Sequence, residues 1–168
     1  MPMRRRGWAY RAFLRVLMLR LSKKLLFAIE AVLDIAYNAG SQPVQSREIT
    51  ERQGIPRRYL EQVLQQLVRA DILTGVRGPK GGYRLARERR RISVGDISRV
   101  VRAMETAANP IEDPAGSELG HKVVRPLWVE LEDEVMHRLD AVTIEDLCLR
   151  AHKQQVESEA NRKLDFSI

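Results

Sequence analysis

Hydrophobic residues recur at helical spacing along most of the chain. After Ser22, a residue type that caps helix N-termini, apolar side chains recur every three to four residues, and Gly40 offers a left-handed C-cap. A second, shorter segment runs from Ser46 to Gly54. The next stretch, RRYLEQVLQQLVRA from Arg57, has one apolar face and one face of arginine, glutamate and glutamine. The pattern predicts three helices, the third with a polar outer face.

The pattern changes to strand-like alternation after the third helix. Leu73–Val76 and Tyr83–Leu85 alternate as short strands do, and the glycines and proline between them require a turn. The segment RGPKGGYRL therefore predicts a β-hairpin with Arg77 and Lys80 at its tip. It lacks the Gly-x-x-x-x-Gly-Lys-Ser/Thr order of a phosphate-binding loop. From this string alone, a plain surface hairpin and a nucleic-acid contact both stay open.

Two capping motifs mark helices in the C-terminal half. Ser93 and Asp96 precede a helix that runs to about Met104, and Thr143 begins a similar motif before another short helix. Between them, residues 106–120 form a loop by composition, and 123–142 have the pattern of a long amphipathic helix. Its apolar stripe consists of Val124, Leu127, Trp128, Leu131, Val135 and Leu139.

The order of these elements predicts a winged helix-turn-helix fold. Two helices joined by a tight turn and followed by a basic hairpin are typical of DNA readers of this class. We therefore expect a mainly α protein with a small β-hairpin and a long dimerisation helix. Its expected parts are a basic extension at 1–17, disordered or foreign to the natural protein, a winged helix-turn-helix DNA-binding domain at 18–103, a sensor-like loop at 104–122, dimerisation and C-terminal helices at 123–151, and a polar tail at 152–168.

Charge is distributed unevenly along the 168 residues. The net charge of +7 divides into +5 over residues 1–17, +9 over 18–103 and −7 over 104–168. A basic first part and an acidic last part favour a polyanion-binding domain joined to a segment with another role, although a basic surface can also be a solvated face.

Several functional classes are disfavoured by the residues themselves. The single cysteine, Cys148, excludes an internal disulfide and an all-cysteine metal site, and the three histidines lack ligand spacing. No arrangement of nucleophile and base suggests an enzyme, and no apolar run is long enough for a membrane span. We expect a cytoplasmic protein with no metal site and no membrane partner.

Five motifs in this chain resemble those of the Rrf-two family of bacterial winged-helix regulators. They are LRLSKK at 19–24, IPRRYLEQVLQQL at 55–67, VRGPKGGYRLA at 76–86, ISVGDI at 92–97 and LW followed by TIEDL at 127–147. The resemblance implies a homodimeric, sequence-specific transcription regulator whose partner is double-stranded DNA, and we expect a repressor because a bound dimer blocks polymerase most simply. The effector stays unknown. A protein-interaction adaptor that no longer reads specific DNA is the alternative.

The resemblance also places the DNA-reading residues. The helix at 56–69 would enter the major groove, and the 77–85 wing would follow the minor groove or the backbone. Arg58 and Gln62 would offer donors to base edges, and Glu61 would accept from cytosine. The remaining residues expected to contact DNA are Arg57, Arg77, Gly78, Lys80, Gly81, Gly82 and Arg84.

The best-known members of that family hold an iron-sulfur cluster with three cysteines in the loop before the long helix. Residues 106–122 contain no cysteine, the slot for the third falls near His121 and Lys122, and the acid that some members add falls on Leu26. Because a cluster needs thiolates or comparable soft ligands, we expect none here. The chain would respond to another signal or bind DNA constitutively.

Overall fold

The structure, a computed structural model, describes residues 22–105 and 111–160. The predictions for 1–17, for part of the 104–122 loop and for the end of the tail fall outside these residues. The described elements are α1 (Lys23–Asn38), α2 (Ser46–Gln53), α3 (Arg57–Arg69), β1 (Leu73–Val76), β2 (Gly82–Leu85), a 3-10 turn (Arg89–Arg91), α4 (Val94–Met104), a π-helical turn (Gly120–Val124), α5 (Arg125–Asp140) and α6 (Ile144–Lys153).

The predicted N-terminal caps are confirmed by their hydrogen bonds. The backbone N–H of Leu25 donates to the Ser22 hydroxyl. In α4 the box is reciprocal, because Asp96 N–H donates to the Ser93 hydroxyl while Ser93 N–H donates to the Asp96 carboxylate, both at 3.0 Å. The same pair of bonds joins Thr143 and Asp146 at the start of α6. These local signals therefore begin three helices where the sequence expects them.

The left-handed cap expected at Gly40 is wrong. Helix α1 ends at Asn38 with extended backbone at Ala39, and Gly40 is not among the residues with positive φ. Distant side chains bind the last carbonyl groups of α1 instead. Arg89 donates to the Ala36 carbonyl at 2.5 Å, and other groups that reach this end are described below. A cap supplied by tertiary contacts leaves no signal in the local sequence.

One hydrophobic core joins the winged part to the last helix. The inner faces of α1 and α3 are buried together with Ile92 and Ile97 around the start of α4. Ile144 and Cys148 of α6 belong to the same cluster. Helix α6 therefore packs on α1 rather than standing apart with the long helix. Within the described residues, no helix is both long and apolar enough to cross a bilayer.

The hairpin is antiparallel, as predicted, and its second strand is also paired with a third segment. Leu73 lies opposite Leu85 and Val76 opposite Gly82. Val44, in the loop between α1 and α2, exchanges two backbone hydrogen bonds with Tyr83, at 2.8 and 3.0 Å. The wing is thus attached to the loop before the helix-turn-helix as well as to α3.

Helix α5 crosses over α4 and is preceded by the π-helical turn. Pro126 lies in the first turn of α5 and has no N–H to donate to the residue four positions earlier, so a wider turn before it is compatible with the backbone. Arg99 contacts Asp140 at 2.6 Å and Arg102 contacts Glu132 at 3.2 Å. These pairs lie on exposed side chains and orient α5 on α4 without adding much stability.

Candidate nucleic-acid interface

The turn before α3 is formed by a residue in the left-handed conformation. Gly54 has φ 64°, and its N–H donates to the Thr50 carbonyl at 2.9 Å. Ile55 is buried, and Pro56 then restarts the chain as the N-cap of α3. The turn is tight because glycine takes positive φ without a steric penalty. It fixes the direction in which the first turn of α3 leaves α2.

The first two turns of α3 place four polar side chains in solvent, namely Arg57, Arg58, Glu61 and Gln62. Arg57 Nε contacts Glu61 at 2.8 Å, so these two charges are paired in the free protein. The side chains of Arg58 and Gln62 form no hydrogen bond with any described residue. Their donors are thus available to an external partner.

The inner face of α3 is anchored by packing and by a tyrosine. Leu60, Val63, Leu64 and Leu67 are buried in the core. The hydroxyl of Tyr59 donates to the Lys24 carbonyl of α1 at 2.6 Å. Burial raises the pKa of Tyr59 to about 12, so this hydroxyl stays protonated and keeps donating at any physiological pH. These contacts hold the inner face of α3 on the core and leave its outer face in solvent.

The wing tip owes its shape to glycines that each have a distinct role. Gly78 has φ 110° and open space around it. A Cβ on Gly81 would lie 2.3 Å from the Val76 carbonyl oxygen, and the N–H of Gly81 already donates to Gly78 at 2.9 Å. At Gly82, a Cβ would lie 2.4 Å from the Val44 carbonyl oxygen. Two of the three glycines thus permit close approach within the protein itself.

The cations of the wing fall into two groups. Arg77 and Lys80 are exposed at the tip and form no hydrogen bond with any described residue. Arg84, further down β2, is half-buried and donates to the backbone carbonyl of Ser41. It ties the base of the wing to the loop after α1. The structure therefore separates Arg84 from the two cations at the tip.

A buried carboxylate behind the turn was missed by the sequence reasoning. Asp34 of α1 is completely buried, and its two oxygens accept from Arg52 Nε and Nη2 at 2.9 and 2.7 Å. Gln53 Nε2 also donates to it, at 2.8 Å. The pKa of Arg52 is raised by this bond to Asp34. An aspartate flanked by the apolar residues Leu33 and Ile35 was the signal that could have found it.

The predicted apolar stripe of α5 divides into two parts. Val124, Leu127 and Trp128 are exposed by 56%, 54% and 42%, together with their neighbours Val123 and Val129. Further along, Leu131, Val135 and Leu139 are half-buried. We call the exposed residues 123, 124, 127, 128 and 129 the apolar patch. A patch of this kind on a monomer indicates a contact surface.

The described part of the loop before α5 is held by an arginine. The guanidinium of Arg125 donates to the carbonyls of Ile111, Asp113 and Ala115, and lies 2.8 Å from Nδ1 of His121. No group of three or more His, Cys, Asp or Glu side chains suited to a metal occurs within 22–105 and 111–160. Hydrogen bonds to the Arg125 guanidinium therefore hold this loop segment in place.

A family model described as an iron-dependent transcriptional regulator, Rrf2, matches residues 21–150. The chain belongs to the Rrf2 family. The match covers all of the described helices and both strands of the wing except the end of α6. It confirms the resemblance seen in the sequence and the winged helix-turn-helix fold, and it identifies the chain as a DNA-binding transcription regulator of that family.

Relatives of known function are regulators named IscR. The HTH-type transcriptional regulator IscR of Cronobacter sakazakii is 34% identical over 146 residues, which are 86% of this chain and 88% of that protein. IscR of Escherichia coli K12 is 35% identical over 130 residues, which are 77% of this chain and 80% of that protein. These similarities favour transcription regulation over the adaptor alternative.

Solved structures of Rrf2 proteins have the same fold. IscR of T. potens superimposes with a TM-score of 0.68 at 32% identity, covering 85% of this chain and 96% of that one. CymR of B. subtilis, described as its global cysteine regulator, gives a TM-score of 0.62 at 32% identity, covering 79% of this chain and 98% of that one.

The iron named in the family description does not fit the donors of this chain. The only cysteine of the 168 residues, Cys148, is buried in the core, and burial raises the pKa of its thiol. A neutral buried thiol is a poor ligand, and one thiolate does not hold a cluster. Beside the loop, the Arg125 guanidinium contacts the imidazole of His121, and this fixed positive charge disfavours a metal cation there.

Proposed function

We propose that this Rrf2 protein reads specific DNA with the outer face of α3 and grips the neighbouring backbone with the wing tip. The observation that carries the proposal is the set of exposed donors without protein partners, Arg58 and Gln62 on α3 and Arg77 and Lys80 on the wing. A cation that is unpaired in solution keeps its charge available for phosphate, and a donor on a groove-facing helix is available to base edges.

Within this surface the residues have different roles. Arg58 and Gln62 contact base edges, and Glu61 accepts from a cytosine amine while excluding bases that present acceptors. Arg57 exchanges its partner, since its bond to Glu61 is solvent-exposed and competes with a phosphate at little cost. Arg77 and Lys80 contact phosphates, and the glycines at 78, 81 and 82 shape the wing, while Arg84 secures its base.

The active form is a homodimer that represses transcription in the cytoplasm and has no enzymatic role. The apolar patch and the half-buried Leu131, Val135 and Leu139 continue one another along α5, which suits contact with the same helix of a second copy. Two copies would present two recognition helices to half-sites about 34 Å apart. A dimer bound over a promoter excludes polymerase.

The regulator works without an iron-sulfur cluster. The donor set described above does not hold one, and the loop before α5 is organised by Arg125 instead. Protein purified without oxygen should show no strong visible absorbance and no stoichiometric iron. Strong absorbance with bound iron would contradict this part of the proposal.

Selection of duplexes from a random pool tests DNA reading directly. The full chain should enrich a palindromic site whose halves lie about 10 base pairs apart, and its affinity for that site should fall steeply with salt. A reporter gene placed behind the selected site should be expressed less in the presence of the protein. Recovery of random sequence, or an affinity that salt does not change, would refute the proposal.

A further inference from the structure

The C-terminal segment 154–160 lies on the end of α1, next to the buried carboxylate behind the recognition helix. Helix α6 ends in a Schellman turn in which Val156 N–H donates to the Ala151 carbonyl at 3.1 Å and Gln155 takes a φ of 56°. This turn sends the chain back across α1. It therefore places residues more than 115 positions apart in contact.

Three hydrogen bonds fasten the segment to α1. The hydroxyl of Tyr37 donates to the Val156 carbonyl at 2.6 Å, and the Ser158 hydroxyl donates to the Tyr37 carbonyl at 2.8 Å. The backbone N–H of Glu159 donates to Oδ1 of Asn38 at 3.0 Å. Ser158 is buried, so its bond is shielded from water. Together these contacts close the helix end that Gly40 does not cap.

Asn38 connects the segment to the buried carboxylate. Its amide oxygen accepts from Glu159, and its Nδ2 donates to Oδ1 of Asp34 at 3.1 Å. This orientation of the amide is the one that satisfies both neighbours, because a backbone N–H needs an acceptor and a carboxylate needs a donor. Asp34 in turn holds Arg52 and Gln53, the last two residues of α2.

The chain of bonds ends at the turn of the helix-turn-helix. Arg52 and Gln53 immediately precede Gly54, whose left-handed conformation sets the direction of α3. The buried carboxylate of Asp34 accepts from several donors, and each lost bond would leave part of its negative charge without a partner. Its position is therefore tightly restricted. The position of the C-terminal segment is thereby linked to the orientation of α3.

We propose that residues 156–160, acting through Asn38 and Asp34, form a positioning relay that fixes the recognition helix for specific DNA reading. The inference rests on the proposed function of α3 and assigns positioning roles to Asn38 and Ser158. Loss of the relay allows the turn at Gly54 to vary. The contacts of α3 with base edges are then lost more than the contacts of the wing with phosphates, because phosphate contacts tolerate displacement better than base contacts.

The test uses the duplex selected by the full chain and a random duplex of the same length. Asn38→Ala removes both bonds at the centre of the relay. Ser158→Ala removes two bonds at its far end, the one donated to the Tyr37 carbonyl and the one accepted from the Ala160 N–H at 3.2 Å. Each should weaken binding to the selected duplex by about fivefold to tenfold, within the range of one or two buried hydrogen bonds, and change binding to the random duplex by less than about twofold. Ser158→Thr, which keeps the hydroxyl, should bind like the parent.

Gln42→Ala is the matched control, because Gln42 is exposed in the loop after α1 and forms no hydrogen bond with any described residue. Hydrogen exchange adds a local readout: the Gly54 amide should exchange faster in Asn38→Ala, and core amides of α4 should not. If Asn38→Ala does not fold, Ser158→Ala decides.

Two results would overturn the relay. One is unchanged affinity for the selected duplex in the relay variants. The other is an equal loss on both duplexes, which would indicate general destabilisation. Failure of the full chain itself to select any duplex would instead remove the proposed DNA reading on which the relay depends, so the two failures are distinguishable.

Discussion

Individual carboxylates do different work in this fold according to their burial. Asp34 is enclosed and bound by side chains from α2, whereas Asp146 is half-buried at the start of α6 and accepts from Thr143. Asp34 therefore links α1 to α2, whereas Asp146 caps the start of α6. Asp34 lies one turn before the end of α1 and Asp146 one turn after the N-cap of α6, so the residue type alone does not distinguish their roles.

Replacement of Asp146 should change the pH dependence of stability. Hydrogen bonds from the backbone and hydroxyl of Thr143 lower the pKa of Asp146. A lowered folded-state pKa means that the carboxylate stabilises the protein above its unfolded-state pKa, near 3.8, and that this contribution is lost as pH falls through the folded value. Asp146→Asn should therefore lower Tm at pH 7, and the difference from the parent should shrink towards pH 3.

The measurement is thermal unfolding at several pH values. Glu145→Gln is the control, because Glu145 is the exposed neighbour on the same helix and lies outside the capping box. A constant difference in Tm between Asp146→Asn and the parent across the range would show that the carboxylate charge does not matter.

The helices and the hairpin differ in how far each is encoded locally. Caps at Ser22, Ser93 and Thr143 use hydrogen bonds within three residues, so the sequence predicts them. The hairpin is also local, but the pairing of Tyr83 with Val44 crosses the helix-turn-helix and leaves no short-range pattern. Local chemistry thus predicts where elements begin, and tertiary contacts decide how they are joined.

The difference between local and tertiary contacts also explains which features the sequence does not predict. Gly40 has the residue type of a C-cap, yet Ser158 and Arg89 bind the last carbonyls of α1 from distant positions. The sequence predicts the apolar stripe of α5, but the division of that stripe into exposed and half-buried parts depends on how α5 packs on α4. The exposed donors of α3 were predictable because helical spacing alone places them opposite the buried face.

Substitution of Gly82 should disrupt the wing selectively. An alanine there would take a positive φ and place its Cβ 2.4 Å from the Val44 carbonyl oxygen, so the pairing of Val44 with Tyr83 should break. We expect a loss of at least about 2 kcal/mol in stability, from backbone strain plus the clash, and weaker binding to every duplex. Chemical denaturation and DNA titration measure the two effects.

Gly75→Ala provides the comparison for this substitution. Gly75 lies in β1, has no atom within 4 Å of an added Cβ and does not have positive φ. It should leave both stability and binding nearly unchanged. Equal effects of the two substitutions would mean that the wing does not depend on close approach at Gly82.

The whole molecule combines the surface of α3 and the wing, which we propose reads DNA, with an apolar patch on α5. These two surfaces are the features expected of a dimeric DNA reader. A single copy would bind DNA weakly, and two linked copies bind more tightly because both half-sites are occupied together. Charge supports the division, since residues 18–103 carry +9 and residues 104–168 carry −7. The basic surfaces of two copies can then both approach one duplex, while the acidic residues of 104–168 are repelled by its phosphates.

Introduction of a charge into the apolar patch should separate the two copies. Trp128→Glu would place a carboxylate at the centre of the proposed interface, and its desolvation should prevent association. Sedimentation should show a monomer, and affinity for the two-half-site duplex should fall at least about a hundredfold through lost avidity. Asp133→Ala, on the opposite face of α5, should remain a dimer. A Trp128→Glu dimer with unchanged affinity would place the interface elsewhere.

The most direct test of DNA reading compares Arg58→Ala with Arg77→Ala on selected and random duplexes over a range of salt. Arg58→Ala should cost about 1–3 kcal/mol on the selected duplex only, and Arg77→Ala should weaken both duplexes and reduce the salt slope by about one. Arg90→Ala, which removes an exposed arginine paired with Glu88, should do neither. Equal losses for Arg58→Ala on both duplexes, or an unchanged salt slope for Arg77→Ala, would contradict the assignment of bases to α3 and phosphates to the wing.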